Sequence, residues 1–270
     1  GVGPNAWSNW IAVLLRQLYA QTTSVISEGS MSSSRPERIA KSKRNVLKAC
    51  NFLNAEETGR HLDRHYDAFW LGIDIETQLT FIELLKVKTK EEIQIQIDPD
   101  KNRDANRICC VMPDHPGIFS RLAGAIALSG TNVIDARTYT TRDGFATAVF
   151  WVKNIFNSSL EKKLVERIKQ TIKSSLLGKV VPKKVLDEKG KYSRSEREFT
   201  VPTTISFDNL GSDIYTIIEV DTRDRIGLIH DLTNTLYKNN ISIFTAIIAT
   251  YGEQAVDTFY VKDLFGLKIH

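Results

Sequence analysis

Two four-residue strings, Asp114-His115-Pro116-Gly117 and Asp224-Arg225-Ile226-Gly227, share the pattern Asp-x-x-Gly, each between a strand-like and a helix-like run. The first N–H groups of a helix have no intrahelical partner and carry partial positive charge. A carboxylate arriving there finds ready donors. Gly lets the backbone approach a ligand without a side chain intervening, and Asp can cap the N–H groups or pair with an ammonium. A turn offering carboxylate donors and an ammonium partner suits a free α-amino acid. Capping alone would also explain each residue type, with Asp as cap, Pro opening the helix and Gly turning the chain. A single copy favours that structural reading; recurrence at matching positions brings the two level.

Such turns need a strand before them and a helix after them, and the hydrophobic periodicity supplies both. Residues 107–112 form a short apolar strand, and 117–129 a helix with Ile118, Leu122, Ala125 and Ile126 on one face. Residues 132–141 and 145–152 read as strands joined by Arg142-Asp143-Gly144, a hairpin turn. Leu160, Leu164, Ile168, Ile172 and Leu176 mark a second helix, and 198–207 a further strand, giving β-α-β-β-α-β, a ferredoxin-like unit. Adding 110 maps Asp114, Gly117, Leu122 and Ala136 onto Asp224, Gly227, Leu232 and Ala246, and an offset of 109 carries Phe150-Trp151-Val152 onto Phe259-Tyr260-Val261. The second copy has strand, helix, strand, strand over 214–261, and with the sequence stopping at His270 it is expected to be truncated.

The first hundred residues read helical. Trp7, Trp10, Ile11, Leu14, Leu15 and Leu18 recur at spacings of three and four. A Ser-rich loop spans 24–34, and Pro36 opens a helix through Ile39, Val46 and Cys50. Shorter helices are expected at 55–61 and 74–84, and Ile93, Ile95 and Ile97 alternate as in a strand. The fold class is therefore α+β: a helical N-terminal remnant (1–100), a ferredoxin-like module (104–208) and an incomplete second one (212–270).

The 270 residues are 42% hydrophobic and 25% charged, which excludes fibrous and disordered classes. No apolar run approaches a membrane span, so no membrane partner is expected and cytoplasm is the default location. The sequence starts at Gly1 without the layout of a signal peptide, and reads as a piece of something longer. Cys50, Cys109 and Cys110 form neither a disulfide framework nor a zinc motif. His230-Asp231 lies within a helix with no metal-site partners and reads as helix surface; His61 and His65 lack the intervening Glu of a zinc pair. No catalytic or metal residues are assigned. The net charge of +4 is concentrated in 179–197, a stretch expected to be a solvated loop, since the aromatic string of an RNA-binding sheet is missing. Nucleic acid is the weakest of the readings.

The strings DARTYTTRDG, FDNLGSDIYTIIEV and ATYGEQAVDTFYVKD resemble those of tandem ACT domains, and more narrowly the C-terminal pair of the bifunctional PII uridylyltransferase/uridylyl-removing enzymes. GPNAWSNWIAVLLRQLY resembles the end of their HD phosphohydrolase domain. The resemblance implies a glutamine-sensing region of an enzyme that adds UMP to, and removes it from, the PII signalling protein. It also implies ACT–ACT association, no cofactor in this chain and Mg2+ for the catalytic domains of such a parent. Carried over by position, ligand-binding residues would be Asp114, His115, Gly117 and Ile118 with Asn132 and Ile134 facing them. In the second copy they would be Asp224, Arg225, Gly227 and Leu228 with Ser242 and Phe244. Ile226 stands where that family has Pro. A regulatory tail from another ACT-bearing enzyme is the alternative.

Overall fold

The computed structural model describes residue 19 and residues 34–86, 93–154, 162–179, 202–251 and 254–269. The helix expected around Trp7 to Leu18, the Ser-rich stretch before Ser34 and the basic stretch beyond Lys179 lie outside the described residues. Helix α1 (Arg35–Ala49) opens on a capping box: Ser34 Oγ accepts the Glu37 N–H, and the Glu37 carboxylate accepts the Ser34 N–H. Helix α2 (Ala55–Arg64) starts identically on Asn54 and Glu57. Short α3 (Asp67–Gly72) and α4 (Ile75–Lys86) complete the helical region. No described helix is long and apolar enough to cross a membrane.

Two four-stranded antiparallel sheets follow. The first comprises β1 (Gln94–Asp100), β2 (Ala105–Pro113), β3 (Thr131–Thr140) and β4 (Phe145–Asn154), in the order β1-β2-β4-β3. Its helices are α5 (Ile118–Leu128) and α6 (Lys162–Leu176). The second comprises β5 (Thr204–Asp208), β6 (Thr216–Arg223), β7 (Ser242–Tyr251) and β8 (Gln254–Lys262), in the order β5-β6-β8-β7, with α7 (Leu228–Lys238). The α+β, ferredoxin-like class stands, with one difference in connectivity. The strand expected to close the first module is β5, and it pairs instead in the second sheet, Ile205 opposite Val220 and Phe207 opposite Ile218. The edge it was expected to fill is taken by β1, with Ile95 opposite Cys110 and Ile97 opposite Ile108. Loop closure favours this pairing: each leading strand reaches its partner through a short turn, cheaper to close by about 1–2 kcal/mol than a several-fold longer path around a helix. Each turn is held by an Asp, Asp100 accepting from the Asn102 and Arg103 amides and Asp208 from those of Leu210 and Gly211. The offset of 110 already relates Ile95 and Ile97 to Ile205 and Phe207, so the repeat starts one strand earlier than the turns alone suggest.

The first sheet is covered on both faces. Phe69, Trp70, Phe81 and Ile82 of the helical region pack on Val111, Tyr139, Val149 and Trp151, while Leu122, Ile126, Ile168 and Ile172 cover Ile108, Cys110 and Phe150 behind. Strand β2 is accordingly buried at eight consecutive positions, whereas β6 alternates. Arg107, almost fully buried, ties β2 to α4 by donating to Glu76 Oε1 (2.9 Å) and Thr77 Oγ1 (3.1 Å). Cys109 and Cys110 are core residues, and burial pushes the Cys110 thiol up to about 12.

At one helix-facing core position the two modules differ in kind. Asp257, opposite Val220, replaces Ala148, opposite Cys110. Its side chain is fully buried, and neither carboxylate oxygen has a hydrogen-bond partner in good geometry among the described residues. Burial, and secondarily the charge of Asp224, pushes this carboxyl up to about 7. The folded state therefore holds a proton that the unfolded chain releases near pH 4. The stabilisation is complete below that pH, falls as the pH rises to about 7 and changes no further above it. Asp257→Asn should leave the melting temperature nearly unchanged at pH 4 and raise it at pH 8, by a contribution on the order of 4 kcal/mol. Thermal melts at the two pH values check this.

Candidate functional site

The two Asp-x-x-Gly turns adopt one conformation. Gly117 (φ 82°, ψ 2°) and Gly227 (φ 81°, ψ 1°) occupy the N-cap positions of α5 and α7 in the left-handed region open to glycine. Replacement of Pro116 by Ile226 leaves the turn unaltered. Neither helix start receives a side-chain cap among the described residues. The carboxylate of Asp114 instead accepts from Thr140 Oγ1 (2.8 Å), and its N–H donates to the Gly144 carbonyl (2.8 Å). Capping thus does not explain the Asp; the first N–H of each helix closes its own turn, Ile118 donating to the His115 carbonyl (3.2 Å) and Leu228 to the Arg225 carbonyl (3.1 Å), and it is the next N–H groups that keep their capacity for an anion.

The modules pack side by side, β3 along β7 and α5 against α7. Ser120 and His230, related by the offset of 110, meet across that boundary: His230 Nδ1 lies 2.8 Å from the Ser120 carbonyl, and Ser120 Oγ donates to the His230 carbonyl (3.3 Å). Contact between equivalent residues places a local twofold between the helices. His230, expected on the helix surface, is 5% exposed. The sequence reading treated α7 as a helix of one module, and the second module's partner is what buries it.

This packing builds a cavity at the second turn. Asp224, Arg225, Gly227 and Leu228 line one wall, and Ala123, Ala127, Thr131 and Val133 of the first module the other. Its volume is about 30 Å³, enough for one water-sized group. The strand residues facing the turn come from the neighbouring module. Ile134 and Phe244, expected to face the turns of their own copies, are the residues at matching β-bulges of β3 and β7. Ile134 packs towards the helical region, and Phe244 lies against Tyr215 with ring centroids 5.5 Å apart. Ser242 is half-buried opposite Lys262, and the Asn132 side chain lies outside the described residues. At the first turn Asp114 and His115 are exposed and Ile118 is buried. The position equivalent to Ala127 is there Tyr237, whose ring would lie 3.2 Å from a Cβ on Gly117. A ring fills on one side of the twofold what a methyl group leaves open on the other.

His61 and His65 do not converge on a site. His65 stacks on Phe69 with ring centroids 3.7 Å apart, and burial pulls its imidazole down to about 3, so it is neutral. Among the described residues no three His, Cys, Asp or Glu side chains form a metal cluster. Pattern reading missed Ala123, Ala127, Thr131, Val133 and His230; the one available signal was the offset applied to α5 and α7 together.

Comparison with known proteins places the first of these modules. Residues 108–172 match the ACT domain. Along its whole length the chain is similar to enzymes named bifunctional uridylyltransferase/uridylyl-removing enzyme. The protein of Cereibacter sphaeroides is 50% identical over 270 residues, that of Ruegeria pomeroyi 48% over 274 and that of Rhodospirillum rubrum 35% over 272. These alignments cover 99–100% of this chain and 29–30% of the relatives, so the chain spans about three-tenths of their length. A solved aspartate kinase from Synechocystis aligns over 60% of this chain and 24% of its own at 14% identity and a TM-score of 0.32, and the fold described above does not depend on it.

The ACT turns make a controlled comparison possible. Gly117 and Gly144 have the same left-handed φ (82° and 83°), but a Cβ at 117 meets the Tyr237 ring, whereas at 144 it meets open space. Both Ala substitutions should cost about 1–2 kcal/mol for the backbone. Gly117→Ala should lower the melting temperature further than Gly144→Ala, because it also strains the contact between modules.

Proposed function

We propose that the chain is the amino-acid-sensing part of a longer uridylyltransferase/uridylyl-removing enzyme acting on the PII signalling protein, with glutamine as effector. The observation that carries this reading is the cavity between the uncapped start of α7 and the wall of the first ACT module. One group of a ligand α-carboxylate would occupy the cavity and accept from the N–H groups of Ile229 and His230, the Leu228 N–H being taken by the Arg225 carbonyl, and the ammonium would lie outside it on the Asp224 side. Because the walls belong to different modules, such a ligand favours the arrangement that brings them together. It shifts the balance between arrangements only by its differential affinity for them. The similarity along the whole chain supports uridylyl transfer and removal as the chemistry being regulated; in this reading transfer prevails when glutamine is scarce and removal when it is plentiful. The basis for assigning glutamine is resemblance. The basis for placing the ligand at the second turn is the open space beside Ala127.

Isothermal titration of the chain with glutamine should give saturable heat with one site per chain, and the melting temperature should climb with ligand concentration. Ala127→Tyr, which copies Tyr237 into the other side of the boundary, should abolish the heat while the protein stays folded. Absence of heat with the unaltered protein at millimolar glutamine would overturn the proposal.

A further inference from the structure

A larger cavity, of about 670 Å³, lies on the other side of the sheets from the glycine turns. Three parts of the chain wall it: Arg35 and Leu71 of the helical region, Arg137 of β3 in the first module, and Tyr215, Thr245 and Tyr260 of the second. Thr245 alternates along β7 with Ala246 of the helix-facing core, so this space and the turns open on opposite faces. Its volume falls within the roughly 300–1,000 Å³ of small-molecule sites.

The cationic groups of this cavity have donors to spare. Arg35 is exposed, and its side chain makes no hydrogen bond or ion pair among the described residues. Arg137 sits deeper, its side chain 17% exposed. Its Nη1 lies 3.3 Å from Asp135 Oδ1, outside hydrogen-bond geometry, and Arg103 holds the other oxygen of that carboxylate. Nε and Nη2 of Arg137 have no hydrogen-bond partner among the described residues and, unlike Nη1, are not sealed from solvent. Against the two guanidiniums the described lining sets one carboxylate, the exposed Asp213. Tyr215 and Tyr260 supply a half-buried aromatic wall, edge to face with ring centroids 6.3 Å apart. Burial, and secondarily Tyr66, raises the Tyr215 hydroxyl above the ordinary phenol range, while the charge of Arg35 pulls it back. The guanidinium at the start of α1 and the ring of the second module thus share one mouth.

The geometry points to a second effector site here, one that takes a nucleoside phosphate, with phosphate oxygens on Arg137 and Arg35 and the base against Tyr215 and Tyr260. A guanidinium presents a planar fork of donors that matches phosphate oxygens. Aromatic side chains accept any base, since each has a flat face to pack. An inorganic anion would occupy a small part of the space and leave the ring surface wet, and an uncharged ring would leave both guanidiniums unanswered. Because the helical region and both modules contribute walls, the bound ligand holds all three in one arrangement. The site does not rest on the amino-acid reading, and a ligand at the second turn leaves it open.

The test is titration calorimetry of the whole chain with adenosine and cytidine 5′-monophosphates, inorganic phosphate and adenosine. The two monophosphates should bind within a few-fold of each other, and tighter than phosphate or adenosine alone by on the order of tenfold. Added salt should weaken them. Arg35→Ala removes an exposed side chain with no partner to lose and should weaken binding on the order of tenfold, whereas Arg38→Ala, one turn along α1 and also exposed, should not. Thr245→Trp should fill the space and abolish binding, with melting curves confirming that the variant is folded. Phosphate alone binding as tightly as the monophosphates, monophosphate binding unchanged by both Arg35→Ala and Thr245→Trp, or no binding at millimolar concentration overturns the site. Glutamine heats measured separately on the same protein report on the turn and not on this cavity.

Discussion

The contact of α5 with α7 across a local twofold is the constraint on which the rest of the molecule depends. Ser120 and His230 are bonded to each other through side chain and backbone, and that pairing fixes how the two helices approach. With the helices fixed, β3 must run beside β7, the helix-facing sides of both sheets merge into one core, the second glycine turn faces β3 and α5 of the first module, and the first meets Tyr237 of α7. A single module would leave its turn open to water, where a helix N-terminus binds anions weakly. Enclosure by the second module removes solvent and strengthens every polar interaction in the site.

The symmetry is incomplete, and its exceptions are concentrated at the boundary. Ala127 and Tyr237 occupy equivalent positions, and one leaves room for a ligand group while the other fills it. Ser120 and His230 are likewise equivalent, but only the imidazole keeps a buried ring nitrogen with no hydrogen-bond partner among the described residues. The sheets differ in cover as well: aromatic residues of α3 and α4 close the outer face of the first, while Tyr215 and Phe244 on the outer face of the second are half-buried. Asp257 places an unpaired carboxyl in a core that the first module fills with Ala148. Duplication supplies two similar halves, and a few substitutions of volume and polarity make them unequal.

Much of the frame was legible from residue types. The Asp-x-x-Gly pattern marked both turns, Pro36 marked the start of the first described helix, and the Asp-Gly pair marked the hairpin between β3 and β4. Two things were not. The pairing partner of a strand does not follow from its own pattern, since Thr204–Asp208 alternates equally well at the edge of either sheet; a short turn to β6 decides it. The face of a residue at a bulge does not follow from alternation either, because the extra residue reverses it, as Ile134 and Phe244 show.

By itself the sequence determined the α+β class, the repeat and the position of the glycine turns, because these depend on local backbone preferences and hydrophobic period. Only the tertiary structure decided that Thr131, Val133, Ala123 and Ala127 face the second turn, and that His230 is interior. Those facts arise from contacts between residues about a hundred positions apart, where neither period nor propensity reaches. They were settled by the packing of one module's helix on the other's.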